Sequence, residues 1–374
     1  MQTIESLLTE MSRLKASDLF LAVGIAPSIK LNGRLEMIGE ERLKPEDLQV
    51  YLEEIRNPDQ LADFVHEREA NFAIARQGLG RFRVSAFFQR EQPSMVIRRI
   101  ETEIPSVDEL QLPGILKELS MTKRGLILFV GSTGAGKSTT QASMIDYRNR
   151  NSTGHILTIE DPVEFMHRHI GCIVNQREVG LDTPSFDVAL KNSLRQAPDV
   201  ILIGEIRSRE TMEFALQFAE TGHLCMATLH ANNANQALDR IMHLVPVDRH
   251  RQLCFDLSFN LRAIVAQQLI PSRDGEGRRG VFEILLNTPL AQDLIRKNEM
   301  HKLKELMKKS TEQGMLTFDQ SLFELYQQGE VGYAEVLAHA DSPNDLRLMI
   351  KLQGETRRGD LLDSSSLDGV TIEL

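Results

Sequence analysis

Apolar residues follow two different rhythms along this chain, and the change from one to the other divides it. Ile4, Leu7, Leu8, Met11 and Leu14 recur at the spacing that lines one face of an α-helix. "DLFLAVG" (18–24) then reads as a strand. "SIKLNGRLEMI" (28–38) reads as a hairpin, because Asn32 and Gly33 sit between two short apolar runs and both tolerate positive φ. A helix is expected from near Pro45, with Leu48, Leu52, Ile55, Leu61 and Phe64 as its apolar set. In "GRFRVSAFF" (80–88), Phe82, Val84, Ala86 and Phe88 alternate with Arg81, Arg83 and Ser85, so one face belongs to a core and the other is basic. Together these elements predict a small α+β domain over residues 1–100. "ETEIPSVDELQLPG" (101–114) is polar, holds two prolines and sustains no period, which predicts an interdomain linker.

Beyond the linker the apolar residues come in short, nearly continuous runs: "GLILFVG" (125–131), "HILTI" (155–159), "DVILIG" (199–204) and "LCMATL" (224–229). Strands buried on both faces and alternating with helical stretches predict a parallel α/β sheet. From about residue 290 the pattern becomes helical and charged, and residues 115–350 are expected to form one domain. The last stretch, 351–374, is rich in Ser and Asp and is expected to be a disordered tail that can order on a partner.

Composition narrows the class. A chain of 374 residues exceeds the roughly 150 of a typical domain, in keeping with two domains. The formal net charge of −10 argues against bulk binding to nucleic acid or anionic lipid. Cys172, Cys225 and Cys254 form no CxxC pair, which fits free thiols in a reducing compartment. The first residues lack the basic start of a secretion signal, and no apolar run reaches membrane-spanning length. A cytoplasmic protein that meets a membrane only through partners is the expectation.

The sharpest chemical signal is "GSTGAGKST", Gly131, Ser132, Thr133, Gly134, Ala135, Gly136, Lys137, Ser138 and Thr139, directly after an apolar run. Its glycines let successive backbone N–H groups face an anion at a helix N-terminus, Lys137 reaches β- and γ-phosphates, and the Ser138 hydroxyl binds Mg2+. ATP is the expected ligand. "DVILIGEIRS" (199–208) resembles the central strand of a nucleotide-hydrolysing enzyme, yet Gly204 stands where a metal-side acid is usual. Glu205, at the strand's carboxyl edge, is the expected base for the attacking water; the alternative is an acid capping the next helix. "TIEDPVEF" supplies Glu160, Asp161 and Glu164, and with Asp199 these acids are expected around the metal's water shell. Asp161 before Pro162 serves equally well as a turn former. In "TGHLCMATLHANNA", His223 and His230 bound a strand, and His230 falls at its carboxyl end, where a γ-phosphate sensor belongs, although a buried histidine is commonly structural. No metal-ligand spacing of Cys and His occurs.

The phosphate loop, "TIEDPVEF", "IVNQREVG", "DVILIGEIR" and "ETGHLCMATLHANNA" resemble, in order and spacing, the secretion and pilus ATPases, and in particular the retraction ATPases of type IV pili, the PilT/PilU type. The resemblance covers residues 1 to about 345. It implies a PAS-like N-terminal domain and a RecA-like motor domain, a homo-hexamer, and attachment at the inner membrane through the pilus platform protein. It assigns Glu160 and Glu164 to the acidic box, Glu205 to the Walker B position, His223 to His230 to the histidine box, and Arg83 and Arg98, with Arg81 less firmly, to nucleotide-reaching arginines. Without that family, the arginines read as a solvated sheet face.

Departures from the family pattern carry a further expectation. Retraction motors usually read Arg-Glu-Asp-Pro-Asp before the Walker B strand and end it Gly-Glu-Met-Arg-Asp; here Ala197 and Ser208 replace two acids. With "AQDLIRK" and the added tail, these resemble the accessory retraction ATPases that act beside the principal motor. The lost acids are expected to weaken contacts that couple Glu205 and Arg207 to a neighbouring subunit. The alternatives are a principal retraction ATPase or a RecA-like DNA translocase; the acidic balance disfavours direct nucleic-acid binding.

Overall fold

The structure is a computed structural model that describes residues 2–31, 34–56, 58–100, 103–275 and 277–353. The expected turn at Asn32-Gly33 and the tail from 354 lie outside the described residues. Two compact units divide the chain.

The first unit contains Met1–Ile104. Its order is α1 (Ile4–Arg13), β1 (Asp18–Ala22), β2 (Ser28–Leu31), β3 (Arg34–Met37), α2 (Pro45–Ile55), α3 (Pro58–Glu67), β4 (Glu69–Arg76), β5 (Gly80–Gln89) and β6 (Gln92–Ile100). The strands form an antiparallel sheet in the order β3-β2-β1-β6-β5-β4. Ile4, Leu7, Leu8 and Met11 of α1 are buried against Leu19, Leu21, Phe82, Val84, Ile97 and the apolar face of α2. One helix was expected from Pro45 through Phe64; there are two. Arg56 takes extended backbone (φ −131, ψ 151) and Pro58 opens α3, because a proline cannot continue the preceding helix.

The second unit holds Pro105–Asp161, His169–Gln176 and Ser185 onward. Its elements run α4 (Ile115–Ser120), β7 (Gly125–Val130), α5 (Lys137–Asn151), β8 (Gly154–Glu160), β9 (Cys172–Glu178), α6 (Phe186–Ser193), β10 (Val200–Ile203), α7 (Arg209–Glu220), β11 (Leu224–Leu229), α8 (Ala234–His243), α9 (His250–Asn260), β12 (Leu261–Pro271), β13 (Arg278–Leu286), α10 (Pro289–Arg296), α11 (Leu303–Lys309), α12 (Phe318–Gln327), α13 (Tyr333–Ala338) and α14 (Pro343–Gln353). The sheet order is β13-β12-β7-β11-β10-β8-β9. From β12 to β8 the strands are parallel, as their continuous apolar runs require: every residue of β7, β10 and β11 is buried. β13 adds antiparallel to β12 at one edge.

Two boundaries differ from expectation. Within the expected linker, residues 105–114 fold onto the second unit: Val107 is buried, and Leu112 packs with Leu116, Ile127 and Phe129. Polarity hid this because two well-spaced apolar side chains are enough to dock a short segment. Pro162–Arg168 and Arg177–Pro184, expected in the motor domain, cluster instead with the first unit. They are tied to each other by the buried Glu178, which accepts the Val163 N–H at 3.2 Å, and within the second segment Asp182 accepts the Glu178 N–H at 2.8 Å.

Candidate active site

Four parallel strands deliver the site. β7, β8, β10 and β11 all end at one edge of the sheet, and the residues that follow them carry the chemistry: the glycine loop after β7, Glu160 closing β8, Glu205 after β10 and His230 after β11. Ligands of open α/β sheets bind at this carboxyl edge.

The loop's geometry depends on residues without side chains. Gly136, the cap of α5, has φ +88, and a Cβ there would approach Gln267 Nε2 at 2.8 Å; one on Gly131 (φ +148) would collide with the Gln267 carbonyl oxygen. Gln267, on β12 and 4% exposed, also accepts a hydrogen bond from Thr140 Oγ1 at 2.9 Å. It therefore pins the first turn of α5 and limits the loop from behind. That turn holds no acidic side chain, so its free N–H groups and the helix dipole favour an anion. Lys137 Nζ donates to the carbonyls of Gly131 (2.7 Å) and Ser132 (2.8 Å), which places the ammonium across the loop. Ser138 and Thr139 are half-buried on the first turn of α5. A cavity of about 290 Å³ opens here, lined by the loop from Gly131 to Ala135 and by Asn232, Leu269, Arg278 and His339.

Glu205 is held on both oxygens. Arg207 Nε donates to Oε2 at 2.7 Å with Nη2 of the same guanidinium 2.6 Å from that oxygen, and His230 Nε2 lies 3.2 Å from Oε1. The ion pair raises the pKa of Arg207 further above its ordinary value. Backbone bonds fix the strand ends beneath: Ile206 N–H donates to Thr228 O (2.9 Å), Thr228 Oγ1 to Gly204 O, and Gly204 N–H to Ile159 O (2.7 Å). Glu205 is not the cap of α7. That role belongs to Ser208, whose hydroxyl accepts the Thr211 N–H at 3.2 Å.

Gly204 explains the missing acid. A Cβ at this position would stand 3.1 Å from Glu160 Cα and 3.2 Å from Ile159 O, so a side chain here requires the backbone at the end of β8 to give by a few tenths of an ångström. Glu160 is nearby but engaged, its Oε1 accepting from Thr158 Oγ1 (2.6 Å) and Gln176 Nε2 (3.2 Å). Among the described residues no group of three or more His, Cys, Asp or Glu is arranged to hold a metal ion. The Ser138 hydroxyl, on the first turn of α5, is the side-chain oxygen the loop offers to a phosphate-bound cation.

Several expected participants lie elsewhere. Asp199 precedes β10, at the opposite end of the strand from Glu205, where its carboxylate accepts the His155 N–H at 2.8 Å; it cannot serve the metal's water shell. Ala197, in left-handed backbone (φ 50), stands at that same far end, so the acid lost there cannot contact Glu205. The acid lost at 208 is replaced by a residue that still caps α7. His223 lies at the amino end of β11, beside Thr221 Oγ1 (3.0 Å) and the Phe218 carbonyl (3.2 Å), away from the loop.

Glu164 is exposed and belongs to the first unit, as do the arginines. In that unit Asp18, Arg98 and Arg83 sit directly opposite one another across β1, β6 and β5. Arg98 Nε donates to the buried Asp18 at 2.7 Å, whereas Arg83, half-buried, has no charge partner among the described residues. Arg81 points its guanidinium at Met166 Sδ, 3.9 Å away.

A glycine loop on a helix start, with an acid and a histidine on the next strands of a parallel sheet, defines a P-loop nucleoside-triphosphate hydrolase. The family model "Type II/IV secretion system protein" matches residues 68–338. The chain is 62% identical to the type IV pilus ATPase PilU of Pseudomonas aeruginosa, over 99% of this chain and 96% of that protein. It is 37% identical to the type IV pilus retractation ATPase PilT of the same organism, over 91% and 99% of the two chains. The crystal structure of the pilus retraction motor PilT with bound ADP superposes with a TM-score of 0.87 at 38% identity, covering 93% of this chain and all of that one. The chain thus belongs to the PilT/PilU family of type IV pilus ATPases within the type II/IV secretion ATPases. It is a nucleotide-binding, ATP-hydrolysing enzyme with that family's two-domain fold.

Proposed function

We propose that this protein is the accessory ATPase of type IV pilus retraction, working with a principal retraction ATPase rather than in its place. The observation that carries this reading is the 62% identity to a PilU spanning 99% of the chain, against 37% to a PilT. In this reading the protein is a cytoplasmic homo-hexamer at the pilus base, meets the inner membrane only through the pilus platform protein, and binds no nucleic acid. No described helix is long and apolar enough to cross a membrane.

The proposed chemistry follows from the site's residues. The amides from Gly131 to Thr139 cradle the phosphates, and Lys137 turns from the loop carbonyls to the β- and γ-phosphates. Ser138 would be the direct protein ligand for Mg2+, and Glu160, outside it, would order its water. Bound there, the ion neutralises charge on the β- and γ-phosphate oxygens. Glu205 orients the attacking water and takes its proton, which requires Arg207 to release Oε2. His230 holds the other oxygen and reports the γ-phosphate. Arg83 and Arg98 supply charge stabilisation within the ring.

The test is pilus retraction, imaged by fluorescent labelling in cells lacking the principal motor. Cells expressing this protein alone should not retract, while the purified protein hydrolyses ATP; cells with both should retract against higher load than those with the principal motor alone. Robust retraction by this protein alone would return it to the principal class.

A further inference from the structure

Glu283 lies inside β13, 1% exposed, opposite Ala266 of β12 and thus one register step from Gln267, which pins the phosphate loop. Its Oε1 accepts the N–H of Ala234, the first residue of α8, at 2.8 Å. Ala234 is fully buried. Without the carboxylate this N–H is an orphan donor at a helix start, shut away from water.

The hydrogen bond also closes a loop that matters. His230, Ala231, Asn232 and Asn233 connect β11 to α8. The loop's first end is fixed by β11, whose Leu229 pairs with Val130 just before the phosphate loop. At its second end Asn233 caps α8 by accepting the Gln236 N–H at 2.9 Å, and Glu283 holds the next amide. Between these ends lie His230, 3.2 Å from Glu205, and Asn232, which lines the cavity.

A second wall of the cavity hangs from the same region. The charged groups that face Glu283 are Asp341, Lys304 and Asp319. Lys304 Nζ bonds Asp341 Oδ2 at 2.7 Å, and the buried Asp319 accepts the N–H groups of Asp341 (2.8 Å) and Ser342 (3.2 Å). This lattice fixes the segment two residues after His339, another lining residue.

We propose that Glu283 is a positioning residue for ATP hydrolysis: by holding the first amide of α8 it sets the 230–233 loop and, through it, the approach of His230 to Glu205. The inference rests on the roles proposed above for those two residues. A residue that acts through another must show that dependence in a double-mutant cycle.

The experiment is steady-state ATP hydrolysis by the full-length protein and its variants E283A, E283Q, H230A and E283A/H230A. The expectation for E283A is a kcat lowered roughly tenfold with the KM for ATP within about threefold, since positioning acts on the transition state rather than on uniform binding. E283Q keeps an acceptor oxygen in place and should recover most of the rate. E283A/H230A should be no slower than H230A. If E283A does not fold, E283D keeps the charge while withdrawing the acceptor by about one methylene, and should lose rate in the same way. Additive losses in the double variant, a loss confined to KM, or parental turnover in E283A or E283D overturns the proposal while leaving Glu205 and His230 their roles. Parental turnover in H230A removes the role of His230 itself, and with it this inference.

Discussion

His230 Nε2 stands 3.2 Å from Glu205 Oε1, joining the residues that follow two adjacent strands of the sheet. Neither strand could bring this about alone. Parallel pairing of Val200 with Leu224 through Ile203 with Ala227 aligns the two strand ends, and the bond from Thr228 Oγ1 to the Gly204 carbonyl locks them together. The contact gives a base candidate a polar neighbour that can follow a phosphate, while Arg207 restrains the other oxygen.

The direct test of that base is Glu205→Gln. The amide keeps the shape and the contact with His230 but cannot take a proton. ATP should bind with near-parental affinity while turnover falls by roughly 100-fold, the scale of a lost general base. Binding is read with a fluorescent nucleotide and turnover by phosphate release. Turnover close to the parent would move the base to Glu160 or Glu164.

The two arginines of the first unit should separate cleanly. Arg98 neutralises Asp18, whose side chain is only 6% exposed, so Arg98→Ala leaves a buried carboxylate with Ser17 Oγ as its remaining hydrogen-bond donor, at 2.8 Å. A loss of roughly 1–3 kcal/mol of stability is expected, recovered when Asp18→Asn is added. Arg83 sits opposite Arg98, so Arg83→Ala removes a like-charge pair and should melt no lower than the parent. If Arg83 stabilises charge in hydrolysis, its variant loses turnover at unchanged stability. Full activity in Arg83→Ala and in the Asp18→Asn/Arg98→Ala double variant would mean that this face is merely solvated.

What the sequence makes legible here is local. The phosphate loop is readable because its glycines, lysine and serine are consecutive and follow an apolar run; Glu205 and His230 are readable because each ends such a run. Gln267 is not, because it meets Thr140 from 127 positions away and a Gln-Gln pair in an apolar stretch carries no motif. Asp18 reads as the polar start of a strand, and only the β1–β6 register places Arg98 beside it. Asp199 and Ala197 mislead for a related reason. Their sequence distance from Glu205 is short, yet an extended four-residue strand intervenes and puts them at the opposite edge.

Gly204 offers a test of why the usual acid is absent. Gly204→Asp would force a Cβ to within 3.1–3.2 Å of the β8 backbone, which cannot move without disturbing Glu160 and the parallel ladder. Overpacking of this kind costs roughly 1–3 kcal/mol. The variant should melt lower and show no gain in Mg2+ dependence of hydrolysis. Parental stability with a tighter Mg2+ requirement would show instead that this edge can accept a direct carboxylate ligand.

Glu283 gives the protein a signature in pH that is separable from its effect on rate. Burial pushes its pKa from the ordinary 4.5 up to about 7; the Ala234 amide and Lys304 oppose the shift, and Asp341 and Asp319 add to it. The folded state therefore holds this proton more tightly than the unfolded chain. Between about pH 4.5 and 7 the unfolded chain releases its proton while the folded one keeps it, so the group's contribution to stability falls as pH rises and levels off above about 7. A shift of this size corresponds to roughly 3 kcal/mol across the window. Glu283→Gln has no proton to lose, and comparing it with the parent cancels every other titrating group. The parent's melting temperature relative to the variant should be highest at about pH 4.5, decline through pH 5, 6 and 7, and be flat above pH 8. The sign is the informative part: a carboxylate stabilised by an ion pair would be flat over this window and would gain stability only as pH rises towards 4.5 from below. Parallel melting profiles for the two proteins would mean that Glu283 is solvated enough to ionise normally.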